Sequence, residues 1–101
     1  KRRYEMQLDR ETRKLRMGIE SLRDHLVTLG RIIGSSRQLV DAAEDRFEKS
    51  RIEFDRNRIT PDIFFSYRLA LDKSRLSLLG SVANYLNVRS QYVHLLGANS
   101  K

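Results

Sequence analysis

The sequence contains no cysteine, no tryptophan and a single proline in 101 residues. Without cysteine the chain forms no disulfide, carries no thiol nucleophile and offers no zinc–sulfur site. No apolar run approaches the roughly 20 residues that a membrane-spanning helix needs, and no segment resembles a signal peptide. The first residue is lysine, and we expect the chain to be a segment of a longer protein.

The one proline, Pro61, lies in the stretch Phe54–Asp62, between two long segments that both have helical patterns. Thr60 is of the type that caps helix N-termini, and proline suits the first helical position because its missing N–H would be unpaired there. Proline also disfavours the α conformation at the residue before it, so the preceding helix must end near Arg58. Asn57 tolerates a left-handed C-terminal cap. The stretch therefore predicts the tip of a helical hairpin.

The same signals set the expected boundaries. We expect a helix over about residues 4–57, a tip turn over about 58–60 and a second helix over about 61–96, with Gly97 as its C-terminal stop. The length allows one domain. The predicted fold class is all-α, a long antiparallel coiled-coil hairpin. Because a lone hairpin encloses no interior, most of its apolar surface must be buried by something else.

One apolar seam recurs through the first helix with the heptad spacing of a left-handed supercoil. Its members are Leu8, Leu15, Ile19, Leu22, Leu26, Leu29, Ile33, Ser36, Val40, Ala43, Phe47, Ser50 and Phe54. Gly30 and Gly34 are four residues apart on another face. They are explained equally by close backbone packing and by a bend near residues 34–36.

The second helix carries two heptad seams. The first consists of Phe64, Tyr67, Leu71, Ser74, Leu78, Ser81, Tyr85, Val88, Tyr92 and Leu95. The second consists of Phe65, Leu69, Asp72, Leu76, Leu79, Ala83, Leu86, Ser90 and Val93. Two seams, offset by roughly 100°, predict neighbours on two sides. The remaining face is expected to be solvent-exposed and to hold Arg68, Lys73, Arg75, Asn84, Asn87 and Arg89. A curved wall of helices and a four-helix bundle both satisfy this pattern.

The net charge of +7 is compatible with a nucleic-acid partner. Most basic residues alternate with acidic ones, however, as on the solvated faces of helices. Tyr67, Tyr85 and Tyr92 fall on an apolar seam, where packing explains them better than base stacking. We expect no nucleic-acid partner.

The sequence shows no signs of catalytic chemistry. His25 and His94 lie on separate helices, and only Asp24 is adjacent to either, so a metal site lacks ligands. The acidic residues of 41–48 are interleaved with basic ones, which indicates helix-surface ion pairs rather than converging carboxylates. No phosphate loop or nucleophile elbow is present. We expect no enzyme, no metal and no cofactor.

An ordered set of residues in the second half resembles a known pattern. The set comprises Phe54 before the turn, Asn57 at a turn position usually taken by glycine, Ile59 and Thr60 at the helix restart, then Asn84-Tyr85-Leu86 and Leu95-Leu96-Gly97. Over about residues 19–97 the sequence resembles the last helical hairpin of the TolC family of outer-membrane efflux and type I secretion channels. It departs from the family at Pro61 and in keeping one acid, Asp62, after the turn.

The resemblance implies a function. The chain would be the periplasmic α-barrel portion of a trimeric outer-membrane export channel, a passive conduit without a cofactor, which contacts the membrane only through strands absent from this chain. The hairpin tip would dock on a periplasmic adaptor protein and, through it, on an inner-membrane pump. The implied partner-binding residues are Phe54, Asn57, Arg58, Ile59 and Thr60, and the implied lumen or gate residues are Asp62, Arg68 and Arg75. The alternative is a non-channel coiled-coil scaffold or adaptor hairpin that binds a protein through its tip.

Overall fold

The computed structural model describes residues 2–99 and contains two helices, α1 (Arg2–Asp55) and α2 (Pro61–Asn99). The helices pack against each other as an antiparallel hairpin, and no strand occurs in the described part of the chain. The expected all-α hairpin is confirmed. At 1.5 Å per residue, α1 is about 80 Å long and α2 about 60 Å.

The end of α1 is closed by a complete Schellman motif. Asn57 has a φ of 59°, the left-handed conformation expected for it. The N–H of Asn57 donates to the carbonyl of Phe54 (3.0 Å), and the N–H of Arg58 donates to the carbonyl of Glu53 (2.9 Å). These bonds satisfy carbonyls that the end of a helix otherwise leaves unpaired.

The start of α2 is capped as the sequence predicts. Thr60 Oγ1 accepts a hydrogen bond from the N–H of Ile63 (3.4 Å), and the Thr60 carbonyl accepts the first helical bond from Phe64 (3.1 Å). Pro61 is the first residue of the helix, where its missing N–H leaves no gap in the hydrogen-bond ladder. Cap and proline together fix where the chain reverses direction.

The helix ends differ from expectation in two respects. α1 begins at Arg2 and ends at Asp55, so the turn starts at Arg56. Gly97 does not stop α2, which continues to Asn99. No glycine within residues 2–99 has a positive φ. Gly97 is therefore in the right-handed helical conformation, at a penalty of roughly 1 kcal/mol relative to alanine.

The hairpin divides into two compact units, each made of a segment of α1 and a segment of α2. One unit comprises Lys1–Gly30 and Asn84–Lys101, and the other comprises Arg31–Ala83 and contains the tip. In the first unit, Gly18 lies opposite Leu95, whose Cδ1 would be 3.9 Å from an added Cβ. In the second unit, Phe47 and Phe54 of α1 pack on Phe64 of α2.

The seam of α1 and the first seam of α2 form the buried contact within each unit. Leu29 and Val88 are buried in the first unit, and Val40, Ala43 and Leu71 in the second. Two seam members are exposed. Leu8 is 47% exposed and lies in a stretch, from Arg3 to Lys14, in which every residue is exposed. Tyr67 is 38% exposed.

The apolar members of the second seam of α2 are exposed throughout. The exposed side chains are Phe65, Leu69, Leu76, Leu79, Leu86 and Val93. The expected offset of roughly 100° between the seams was wrong. At 100° per residue, the mean directions of the two sets of heptad positions are about 150° apart, nearly on opposite sides of α2. The helix is therefore apolar on two opposed faces, only one of which is packed within this chain.

Gly30 and Gly34 face open space in the described part of the chain. A Cβ added at either position would meet nothing within 4 Å. Both residues are exposed and lie inside the continuous helix α1. Close packing between the two helices of the hairpin therefore does not explain these glycines.

Candidate functional site

A cluster of phenylalanines packs between the two helices next to the tip. The rings of Phe54 and Phe64 are stacked with centroids 4.6 Å apart, and Phe47 lies 5.5 Å from Phe64 on its other side. Phe65 makes a further tilted contact with Phe64 at 5.9 Å. Aromatic pairs at these distances add roughly 0.5–1.5 kcal/mol each beyond the area they bury. Phe54, one of the expected partner-binding residues, therefore contributes its ring to the interior of the hairpin.

The outer surface of the tip is formed by the turn. Arg56, Asn57 and Arg58 are exposed, whereas Ile59 is half-buried. Arg58 Nη1 lies 3.6 Å from Glu53 Oε1, an exposed ion pair that spans the Schellman turn. Thr60 is exposed, but its hydroxyl oxygen already caps α2. The groups accessible at the end of the hairpin are thus Arg56, Asn57 and Arg58, together with the exposed part of the Ile59 side chain.

Ile59 also borders a shallow groove on one side of the hairpin. The groove is lined by Arg46, Lys49, Ser50, Glu53, Ile59 and Tyr67. Its floor contains Ser50, whose hydroxyl donates to the Phe47 carbonyl at 2.7 Å. The exposed edge of Tyr67 and the half-buried Ile59 give the groove an apolar part close to the tip. A side chain inserted from a partner would contact both.

Two of the three expected lumen residues lie together in a larger groove on the other side of the hairpin. Arg68 and Arg75 line it with Glu44, Phe47, Glu48, Leu71 and Asp72. Arg75 Nη2 is 3.3 Å from Glu44 Oε1, which links α2 to α1. The third residue, Asp62, is exposed in the first turn of α2 and does not line this groove. Its carboxylate favours the positive end of the helix dipole.

The polar residues of α2 do not form the single solvent-exposed face that was expected. Lys73 lines a different groove from Arg68 and Arg75, together with Ser36, Leu39, Ser74 and Ser77. The cause is the wide separation of the two seams, which leaves a polar strip on each side of the helix rather than one continuous face. Arg68, Arg75 and Arg89 share one heptad position, and Lys73 and Asn87 share another.

The described residues contain no arrangement suited to metal binding or membrane crossing. Within residues 2–99, no three His, Asp or Glu side chains cluster as metal ligands, and His25 and His94 are both exposed. No helix over that range is long and apolar enough to span a bilayer. No buried side-chain polar atom in the described part lacks a hydrogen-bond partner.

Sequence reasoning missed two ion pairs, Arg75–Glu44 between the two helices and Arg58–Glu53 across the turn. The first could have been found from the heptads. In an antiparallel pair, flanking positions of the same type face each other across the seam. Glu44 and Arg75 each lie four residues after an a-type seam position, Val40 and Leu71. The second depends on the geometry of the turn, which the local sequence does not specify to the same degree.

No family model, curated protein or solved structure matches this chain. The resemblance to the TolC family therefore depends on the ordered residues of the sequence alone.

Proposed function

We propose that this chain is the periplasmic α-barrel portion of a trimeric outer-membrane export channel, a passive conduit whose tip docks on a periplasmic adaptor protein. The observation that carries the proposal is the unpartnered second seam of α2. Its six large apolar side chains are between 53% and 67% exposed in the single chain. Leaving that much apolar surface in water is unfavourable at about 25 cal/mol per Å², so a further helix is expected to cover it.

The direction of the second seam favours a wall of helices over a small bundle. In a closed ring of four helices, the two contact directions on each helix are about 90° apart, whereas in a ring of roughly a dozen they are about 150° apart. The two seams of α2 are separated by about 150°. A helix with this pattern belongs in a broad, gently curved wall, as a conduit requires.

The tip suits docking rather than catalysis. It presents Arg56, Asn57 and Arg58 around the edge of Ile59 on a backbone that a Schellman motif and a threonine cap hold in place. A preorganised turn loses little conformational entropy when a partner binds. A partner hairpin with heptad-spaced apolar residues would contact the exposed part of Ile59 and the hydrogen-bonding groups of Arg56, Asn57 and Arg58 around it.

One observation favours the second candidate, a non-channel scaffold. α1 has no second seam comparable to that of α2, because its outward positions carry many charged residues, such as Asp24, Arg31, Asp41 and Asp45. Two hairpins joined only through α2 would bury all the large apolar side chains of the second seam. In that case the protein would be a dimer, and its tip would bind a protein partner without forming a pore.

The mass of the intact protein in solution distinguishes these candidates. We expect a trimer for the channel and a dimer for the scaffold, measured by light scattering in detergent. Leu76→Asp places a charge on the second seam and should dissociate either assembly. Ser77→Asp, one residue further and in the groove that contains Lys73, is the matched control and should leave the mass unchanged. A monomeric wild type would contradict both candidates.

A further inference from the structure

The shallow groove beside the tip contains two cations without ion-pair partners. Arg46 and Lys49 line it and are exposed, and within the described residues neither forms a salt bridge. Glu53, the acidic residue of the lining, already pairs with Arg58 at 3.6 Å. The groove therefore has an uncompensated positive charge.

This charge is not balanced further along the same side of the hairpin. With Val40 and Leu71 as position a of the heptad, the side consists of positions c and g of both helices. In the tip-containing unit, the charged residues at these helical positions are Arg46, Lys49 and Lys73 against Glu53. Lys73 also forms no salt bridge in the described part of the chain.

The opposite side of the unit has no such excess of positive charge. Its groove is lined by both acidic and basic residues, namely Glu44, Glu48, Asp72, Arg68 and Arg75. Arg75 pairs with Glu44, and Arg51 pairs with Glu48. A negatively charged partner is therefore attracted to the side that contains the tip groove.

The tip groove has the size and the apolar surface to receive a side chain from another protein. Its volume is about 190 Å³. Small-molecule sites are larger, at roughly 300–1,000 Å³. Ile59 is half-buried and Tyr67 is 38% exposed, so both offer apolar contact beside the two cations. An amphipathic helix docks in this way, by inserting apolar residues into a groove.

The side with the tip groove stays accessible in the proposed wall of helices. Between the two seams of α2, the arc is about 150° on the side of Arg68 and about 210° on the side of Lys73. In a closed wall, the wider arc of each helix lies on the convex surface. The tip groove shares the side of Lys73 and therefore opens to the exterior, where a partner can approach.

We propose that the partner of the tip groove is an acidic amphipathic helix, the docking segment of the adaptor. This inference depends on the proposed function, whose partner it specifies. An apolar side chain of the partner contacts Ile59 and Tyr67, and carboxylates within one turn of it pair with Arg46 and Lys49. Because both cations are unpaired in the free hairpin, binding breaks no existing ion pair. Opposite charges at the rim of an interface mainly raise the association rate and the specificity.

Two synthetic helical peptides test the proposal. Both carry leucine at heptad spacing, and the flanking positions are glutamate in one and lysine in the other. The measurement is the fluorescence anisotropy of each labelled peptide with the intact protein near 0.1 M salt, where screening acts over about 10 Å. We expect the glutamate peptide to bind about fivefold more tightly or better, and its affinity to fall as salt is added.

Charge reversal on the two sides of α1 provides the matched comparison. Arg46→Glu should weaken binding of the glutamate peptide by about fivefold or more, and Lys49→Glu repeats the test at the second cation. Arg37 is also exposed and forms no salt bridge in the described part, but it lies one heptad before Glu44, on the opposite side. Arg37→Glu changes the net charge equally and should leave the affinity unchanged. Far-ultraviolet circular dichroism checks that each variant keeps its helices.

The outcomes separate this inference from the proposed function. Equal affinity for the two peptides, or equal effects of Arg46→Glu and Arg37→Glu, overturns the acidic partner but leaves the conduit in place. If Arg46→Glu weakens binding to a DNA duplex or to phosphatidylglycerol vesicles but not to the glutamate peptide, the proposal is also overturned. A preference for the glutamate peptide that only Arg46→Glu and Lys49→Glu reduce supports it. Failure of the conduit is measured independently, by the mass of the intact protein.

Discussion

Arg75 and Glu44, which are 31 residues apart in the sequence, meet across the two helices with Nη2 and Oε1 3.3 Å apart. The pair shows which flanks of α1 and α2 share a side and therefore places Arg68 in the same groove. Both side chains are about half exposed. At that exposure the ion pair specifies register more than it adds stability.

The Arg75–Glu44 pair should contribute little to the free energy of unfolding. In a double-mutant cycle with Arg75→Ala and Glu44→Ala, we expect a coupling energy of about 0.2–1 kcal/mol, reduced further by added salt. Urea denaturation followed by circular dichroism measures it. A coupling of several kcal/mol would show that water does not screen the pair as its exposure implies.

The left-handed conformation of Asn57 should make that position selective for glycine. Asn57→Gly should retain the stability of the wild type or raise it slightly, since glycine adopts a φ of 59° without strain. Asn57→Val should destabilise the hairpin by about 1–2 kcal/mol, because a β-branched residue is strained there. Thermal unfolding of the two variants provides the comparison. Equal stability of both would indicate that the turn relaxes to another conformation.

The cap of α2 should be worth about 1 kcal/mol. Thr60→Ala removes the acceptor for the Ile63 N–H, and we expect a loss of roughly 0.5–2 kcal/mol. Thr60→Ser keeps a hydroxyl at the same place and serves as the control. Chemical denaturation measures both, and no difference between alanine and serine would count against the cap.

Adjacent leucines on α2 should respond differently to a charge. Leu78 belongs to the packed seam, whereas Leu79 is 64% exposed and belongs to the second seam. Leu78→Asp should destabilise the hairpin by several kcal/mol. Leu79→Asp should leave the unfolding of the isolated hairpin nearly unchanged and weaken its association instead. Melting curves that do not differ between the variants would show that the packed seam has been misassigned.

Docking through the tip should depend on Ile59. Ile59→Asp places a charge beside Tyr67 and should weaken binding to the proposed adaptor by about tenfold or more. Helicity should be unchanged because the residue lies outside both helices. Surface plasmon resonance and far-ultraviolet circular dichroism measure the two effects. Ser66→Asp, on the exposed surface of α2, is the control. Unchanged affinity of Ile59→Asp would count against the tip as the docking site.

The local signals of the tip made its structure predictable from the sequence. Asn57, Thr60 and Pro61 each have one strong conformational preference, and the three preferences agree on a single turn. The predicted stop of α2 at Gly97 was wrong because glycine has no single strong conformational preference. Glycine tolerates a left-handed cap but does not require it, and the helix continues through it to Asn99.

The packing partners were less predictable than the helices. Both seams of α2 are apolar, and the sequence alone does not specify which one α1 covers. The structure resolves this because Phe64, in the first seam, packs between Phe47 and Phe54. The pairing of Arg75 with Glu44 was missed because it depends on the register between two helices rather than on neighbours in the sequence. Within residues 2–99, nothing covers the second seam, whose large apolar side chains are all exposed.

The accessibility of the second seam in the intact assembly tests the central claim most directly. The sequence has no cysteine, so Leu79→Cys and Ser77→Cys each introduce one thiol into this segment. The measurement is the rate at which a small maleimide labels each thiol under native conditions, relative to its rate in denaturant. We expect the native labelling rate of Leu79→Cys to be reduced by about tenfold or more, because a neighbouring helix would cover the second seam. Ser77→Cys lies outside that seam and should stay accessible, with no such reduction. Equal, unprotected rates at both positions would contradict the claim that a second helix packs on this face.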